Sequence, residues 1–318
     1  MRQPAPAAIA ITILLSCSTA TAPPASSTPL KRAPKCPMFP TDNHWNLKVD
    51  ELPVLENSDA IIANIGADQG LHPDFGSGLY EGARIGIPFT VVPRDQPKVR
   101  IRYTAYGDES DPGPFPIPPN APIEGGRQAT GDRHVLVVDR GRCRLYELYR
   151  AFPVNGGASW KAASGATWDL ESNALRPKDW TSADAAGLPI LPGLARYDEV
   201  ATGVIDHALR FTVSQTRREY IYPARHFASD SDDPDLPAMG QRLRLKADFD
   251  ISGFSEQARV ILQALKTYGM IVADNGSDWF ISGTPNGNWD NDALREIGDV
   301  LGENFDVVNT SQLPKPTA

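Results

Sequence analysis

The chain has 318 residues, a hydrophobic content of 41% and a formal charge of -8. That length and composition allow one large domain or two small ones with a real core, while the acidic balance argues against a nucleic-acid partner, which needs clustered Lys and Arg. Gly at 26 and Pro at 29 are high together and divide the chain into short segments, which favours strands and turns over long helices.

Residues 1–17, MRQPAPAAIAITILLSC, carry one positive residue and an apolar run from Ala7 to Leu15 that is too short to span a bilayer, as in an export signal. The end of this segment, Leu14-Leu15-Ser16-Cys17, resembles a bacterial lipoprotein lipobox. The resemblance implies that Cys17 accepts lipid and that the chain sits at an outer membrane or cell surface, with the membrane a partner only through that anchor. A plain secretory signal, delivering the chain to the periplasm or medium, is the alternative. Export gives Cys36 and Cys143 a meaning as an even pair: a disulfide would close a loop of about 100 residues and stabilise by roughly 4 to 5 kcal/mol in the chain-entropy model. Two buried free thiols are the other reading. Residues 18–35, rich in Ser, Thr, Ala and Pro, are expected to form a disordered tether, followed by a single β-rich domain over 36–312 and a short disordered tail over 313–318.

Strand candidates follow in succession: 60–65, 87–92, 99–103, 134–139, 142–152, 205–213, 219–222, 242–249, 270–273 and 279–282. One clear helix starts at Ser255 as cap and carries an apolar stripe through Ala258, Ile261, Leu262, Leu265 and Tyr268 to a stop at Gly269. A second, shorter helix is expected over 292–301. Strands without regular intervening helices predict an all-β, mainly antiparallel fold, a β-sandwich or jelly roll with one or two peripheral helices. The long segments 108–126 and 171–193 have no usable period and are expected to be surface loops walling a cleft.

The segment RHVLVVDRGRCRLYELY over 133–149 has the pattern of a hairpin. A two-residue loop at Arg140-Gly141 pairs Asp139 with Arg142 and, counting back, His134 with Glu147. An acid opposite an imidazole at the border of a core is how a carboxyl becomes a working proton donor, so Glu147 and His134 are candidate catalytic residues; a satisfied ion pair at a sheet end is the bland alternative. In VIDHALRFTV, period two puts His207 on an apolar face, where an imidazole must find a hydrogen-bond partner, either Glu147, a loop carboxylate or backbone. Asp139, Asp169 and Asp184 are unranked candidates for a second catalytic carboxyl.

Trp168, Trp180 and Tyr222 lie in or beside loops and offer ring faces to sugars; filling a core is the alternative for each. Asp230, Asp232, Asp233 and Asp235 form a loop that is more simply solvated than calcium-binding, since it lacks the glycine and terminal Glu of an EF-hand. The strand RLRLKADFD turns Arg242 and Arg244 outward; Arg244 with Arg210 could receive the carboxylates of an acidic polysaccharide. Serine-hydrolase elbow, zinc-peptidase, P-loop and dinucleotide motifs are absent.

The segments HPDFGSG, ESDPGPFPIPPNAPIEGG, DRHVLVVD, GLPILPGLARYDEV and ALKTYGMIVADNGSDWF resemble a widespread family of exported bacterial proteins. The likeness covers nearly everything after Cys36 and implies a single folded unit, with no activity attached. The sequence leads to a carbohydrate-active protein, foremost a glycoside hydrolase using a carboxyl pair and no redox cofactor or metal. A non-catalytic glycan-binding or cell-surface module, and a uronate polysaccharide lyase using Arg210, Arg244 and a Tyr or His base, are the alternatives.

Overall fold

Alternating apolar residues organise the chain into strands, with few helices, in the computed structural model, which describes Met1 and residues 28–316. In chain order the elements are α1 (Ser58–Ile65), β1 (His72–Asp74), β2 (Leu79–Tyr80), β3 (Ala83–Arg84), β4 (Phe89–Val92), β5 (Arg100–Tyr103), β6 (Val135–Asp139), β7 (Arg144–Tyr149), β8 (Phe152–Val154), β9 (Ser159–Ala162) and β10 (Ser164–Asp169). There follow α2 (Tyr197–Val200), β11 (Leu209–Val213), β12 (Arg242–Leu245), α3 (Glu256–Thr267), β13 (Met270–Asn275), β14 (Phe280–Ser282), α4 (Asn291–Glu296) and β15 (Phe305–Val307).

A six-stranded sheet runs β1-β14-β11-β13-β12-β15, a four-stranded sheet β10-β7-β6-β4, and a three-stranded sheet β5-β9-β8, with β2 and β3 as a separate hairpin. The fold is all-β and sandwich-like as expected. Antiparallel pairs predominate, but β1 with β14, β11 with β13, β4 with β6 and β5 with β9 run parallel.

The four-stranded sheet is buried on both faces, which is why β6 is a continuous apolar run. Val135, Val137, Tyr146 and Leu148 face a smaller core shared with Trp160 and Ala162 of the three-stranded sheet. Leu136, Val138 and Leu145 face the main core, which they share with Leu209, Phe211 and Val272 of the six-stranded sheet. Helix α3 contributes Ala258, Ile261, Leu262 and Leu265 to that core, matching the expected stripe. Its Ser255 sits at the cap position without donating or accepting a cap bond, and its hydroxyl is buried and unpartnered.

Several local expectations are corrected. Residues 60–65 are helical: Ser58, Ile61, Ile62 and Ile65 are buried at helical spacing, which overrides the β-propensity of isoleucine. Residues 219–222 contribute only a bridge between Tyr220 and Met239. The tether does not extend to residue 35: Leu30 and Ala33 are buried, the Thr28 N–H donates to Asp206 and its carbonyl accepts from Arg196. The earlier part of the tether, the export signal and Cys17 lie outside the described residues. At the other end Lys315, in the expected tail, stands over the Tyr222 ring. Cys36 and Cys143 are joined by a disulfide.

Candidate functional site

One face of the six-stranded sheet gathers polar residues from four adjacent strands. Asp74 on β1 pairs with Ser282 on β14, and the register of β14 against β11 puts Arg210 next in that row. Leu209, Phe211 and Val213 turn the other way into the main core. On β13 the register slips between Phe211 and Thr212, so that Thr212 pairs with Asp274 instead of Ala273. This bulge re-aims Asp274 onto the face of Arg210, whose Nη2 lies 3.8 Å from Asp274 Oδ2.

Arg210 is fully engaged beneath this surface. Its Nε and Nη2 donate to the two carboxyl oxygens of Asp184 at 2.7 Å each, and Nη1 donates to the Ser282 hydroxyl at 2.5 Å. Asp184 is brought in by a turn in which the Ser182 and Thr181 hydroxyls donate to the Asp184 carbonyl. One buried charge is thereby neutralised by another; Asp274 adjoins the pair, touching both Arg210 and Asp184, and Asp74 stands farther along the same face. Burial, and next the negative charge of Asp184, holds Asp274 well above the usual carboxylate range against the opposing pull of Arg210. Asp74 is pushed up by burial and by the charge of Glu124.

His134, just before β6, is buried behind Glu124. Its Nδ1 lies 2.6 Å from Glu124 Oε2, its N–H donates to the same oxygen, and its Nε2 lies 3.0 Å from the Ala183 carbonyl. A carbonyl only accepts, so Nε2 carries a proton, and the carboxylate on Nδ1 favours a second. Burial works against this charge, but the Glu124 charge and hydrogen bond raise the imidazole to about 9. The same pairing holds Glu124 low despite burial. With both nitrogens donating, His134 is a fixed cation and has no lone pair with which to act as a base.

Two hollows that share Asp132 form a trough beside this cluster. A hollow of about 440 Å³ is bordered by Asp74, Glu124, Gln128 and Asp132. A second, of about 480 Å³, is bordered by Asp132, Tyr149, Ser182, Asp184, His226 and Asp274. Asp132, exposed to solvent, belongs to both.

Glu147 is not in that trough. The hairpin turn comprises four residues, not two: Asp139 pairs with Arg144 and Leu136 with Glu147. Cys143, tied to Cys36, occupies the turn with a φ of 47°, which displaces the register by an even step. His134 and Glu147 keep a common face but are no longer opposite, and the His134 ring lies against Tyr149 instead. Glu147 is wholly buried; it accepts from the Ile190 and Leu191 N–H groups and from Trp168 Nε1, pinning the 190–193 turn to the four-stranded sheet. Burial raises it to about 7 even against those donors.

The folded carboxyl of Glu147 therefore binds a proton at a pH where the unfolded one has lost it, and its contribution to stability is present below about 4.5 and lost as pH rises through about 7. Glu147→Gln, which cannot titrate, is expected to flatten the fall in unfolding free energy across that window. Denaturant melts of both proteins at pH 5 and pH 7 check it; parallel slopes would place the pH dependence elsewhere.

His207 precedes β11 and is not part of the strand. Its partners are the Ala208 carbonyl at 2.7 Å and Glu199 at 3.2 Å, and Glu199 also receives Arg196. This buried cluster lies away from the trough, and no catalytic carboxyl is oriented by His207. Of the second-carboxyl candidates, Asp139 is buried against Arg142 and the Gly141 N–H, Asp169 pairs with Arg144, and only Asp184 reaches the site, as the partner of Arg210.

The expected sugar-binding residues are also redistributed. Trp168 is buried and bonded to Glu147, and Arg176 lies between the Trp168 and Trp180 rings, so neither indole lines the trough. Tyr222 lies edge-on to His44 in a separate hollow. Arg244 donates to the carbonyls of Val49, Asp50 and Leu52, and Arg242 is buried against the carbonyls of Tyr268, His44 and Leu47; the chain before α1 covers the supposed basic row. In the acidic loop Asp232 pairs with Arg218 and Asp235 accepts from Asn57, and among the described residues no group of side chains is arranged to hold a metal ion.

Asp74, Glu124, Asp132 and Asp274 were missed as individual sites, because each stands in a short segment with no periodic signal. They nevertheless fall in HPDFGSG, ESDPGPFPIPPNAPIEGG, DRHVLVVD and ALKTYGMIVADNGSDWF, segments drawn from three separate parts of the chain that border the two hollows. No family model, no curated protein and no solved structure matches the chain.

Proposed function

We propose that the trough hydrolyses glycosidic bonds, Asp274 giving its proton to the leaving oxygen while Asp74 takes one from the attacking water. The observation that carries this reading is the placement of two carboxyls on one sheet face, on either side of the Arg210–Asp184 pair and open to one trough. The C–O bond breaks as the leaving oxygen is protonated, water oxygen bonds to the anomeric carbon, and its proton passes to Asp74, so the pair ends with exchanged protonation states.

Elimination on a polyuronate is less well supported. Arg210 is held by Asp184, Arg244 lies elsewhere, and the trough walls present carboxylates that repel an anionic polymer. The disulfide suits the exported location that the reading requires. Among the described residues no helix is long and apolar enough to cross a membrane.

Incubation with a panel of neutral and charged glycans, following reducing ends and the absorbance of unsaturated products, tests the reading. Reducing ends alone are expected; both signals would indicate a lyase, and binding with neither a recognition module. The stereochemistry gives a finer check. Asp74 and Asp274 lie three strands apart, at least about 14 Å between Cα atoms, which is too wide for the about 5–5.5 Å of a retaining pair and requires both side chains to lean toward each other across Arg210 to reach the about 6.5–9.5 Å of an inverting pair. Proton NMR of the nascent sugar is expected to show inversion; retention would require a different nucleophile.

A further inference from the structure

The trough continues past Asp74 into a hollow of different chemistry. This hollow, of about 550 Å³, is bordered by Leu71, Pro73, Phe75, Ile85, Phe280 and Leu294, and it shares Asp74, Tyr80 and Ile85 with the carboxylate-lined hollow. The alternation of β1 explains the seam: His72 and Asp74 point the same way, His72 stacking on Phe280 at 4.0 Å within the apolar part while Asp74 borders both parts. Above the seam stands the hairpin of β2 and β3, whose strands pair only with each other. Glu81 and Gly82 at its tip have φ of 51° and 82°, the conformation of a tight hairpin turn. The hairpin holds Leu79 and Tyr80 in solvent at 66% and 70% exposure. A tyrosine kept mostly in water at the rim of an apolar cavity gains area when a ligand enters.

We propose that this hollow is a subsite for an apolar acyl substituent carried by the sugar that faces Asp74, which makes acylated glycans the substrate class. The inference rests on the hydrolytic reading for its catalytic meaning, though the subsite itself is a matter of binding. Its size lies within the range that takes a substituent of several carbons. A polar sugar in the carboxylate-lined part and its acyl chain in the apolar part occupy the two chemistries that meet at Asp74. Tyr80 closes over the junction.

Calorimetric titration with N-octanoylglucosamine and N-acetylglucosamine isolates the acyl term, because the sugar is the same. The octanoyl probe is expected to bind at least about tenfold more tightly, and Tyr80→Ala to reduce that ratio by roughly tenfold. The exposure of Tyr80 leaves the fold unaffected, which an unchanged melting temperature checks. Equal binding of the two probes, or a ratio untouched by Tyr80→Ala, overturns the subsite. Acyl preference with no glycan in the panel cleaved sinks the hydrolytic reading alone; cleavage without acyl preference sinks the subsite alone.

Discussion

Asp274→Asn is expected to lower kcat/KM on a cleaved glycan by about 10²- to 10⁴-fold, the range for removing a general acid, without lowering the melting temperature. Asparagine keeps the shape of the side chain, so the bulge in β13 and the pairing of Thr212 survive. Asparagine is neutral, as the protonated Asp274 is, and its amide can still donate to Asp184, so stability stays about equal. Asp74→Asn is expected to cost a similar factor, and the double variant little more, because the two groups serve one transition state. The pH profile separates their roles. Asp74 works ionised, so activity falls as pH drops through its raised pKa; Asp274 works protonated, so activity falls as pH rises through its higher one. Asp274→Asn should therefore abolish the alkaline limb and keep the acidic one. A folded variant with full activity, or one that keeps the alkaline limb, would remove Asp274 from the reaction.

The second large effect concerns the fold. Replacing both Cys36 and Cys143 by Ser is expected to destabilise by about 4 to 5 kcal/mol, since the bond closes a loop of more than 100 residues in the unfolded chain. At about 2 °C per kcal/mol for a domain of this size, the melting temperature should fall by roughly 10 °C. The disulfide fastens the segment carrying Leu30, Ala33 and Met38 onto the turn between β6 and β7, so the loss reaches both the main core and the hairpin. Calorimetric melts with and without a reductant provide an independent measurement. A fall of less than about 2 °C in both would mean that packing alone holds the segment down.

Reading the sequence succeeded where period and composition are strong. The apolar runs of β4, β6, β7 and β11 and the stripe of α3 are legible because each faces a core on a fixed period. The short β1, β9 and β15 are not, since the segments hold too few residues to show a period, and β10 is not because its small residues Ser164, Gly165 and Ala166 carry no apolar alternation. In the 58–65 segment, helical spacing and β-branched composition pointed in opposite directions, and spacing prevailed.

The site was legible only in part. Asp184, His134 and Arg210 were singled out, but for the wrong partners: His134 meets Glu124, and Arg210 meets Asp184. The Glu147–His134 pairing failed because a hairpin register depends on the turn, and the disulfide lengthened that turn. His207 did require a partner, as its apolar neighbours implied, and Glu199 supplies it from α2. Asp274 could not be found from alternation, because the bulge that aims it interrupts the alternation itself.

That irregularity makes the catalytic proposal sensitive to chain length at a single point. An insertion beside Ala273 would move the acid one place along the ladder, opposite Val213, sending it toward the interior and an uncharged neighbour toward the substrate, whereas loss of Ala273 itself would make the ladder regular and leave the acid opposite Thr212. An insertion here thus weighs more on chemistry than on folding, the reverse of its usual balance inside a strand.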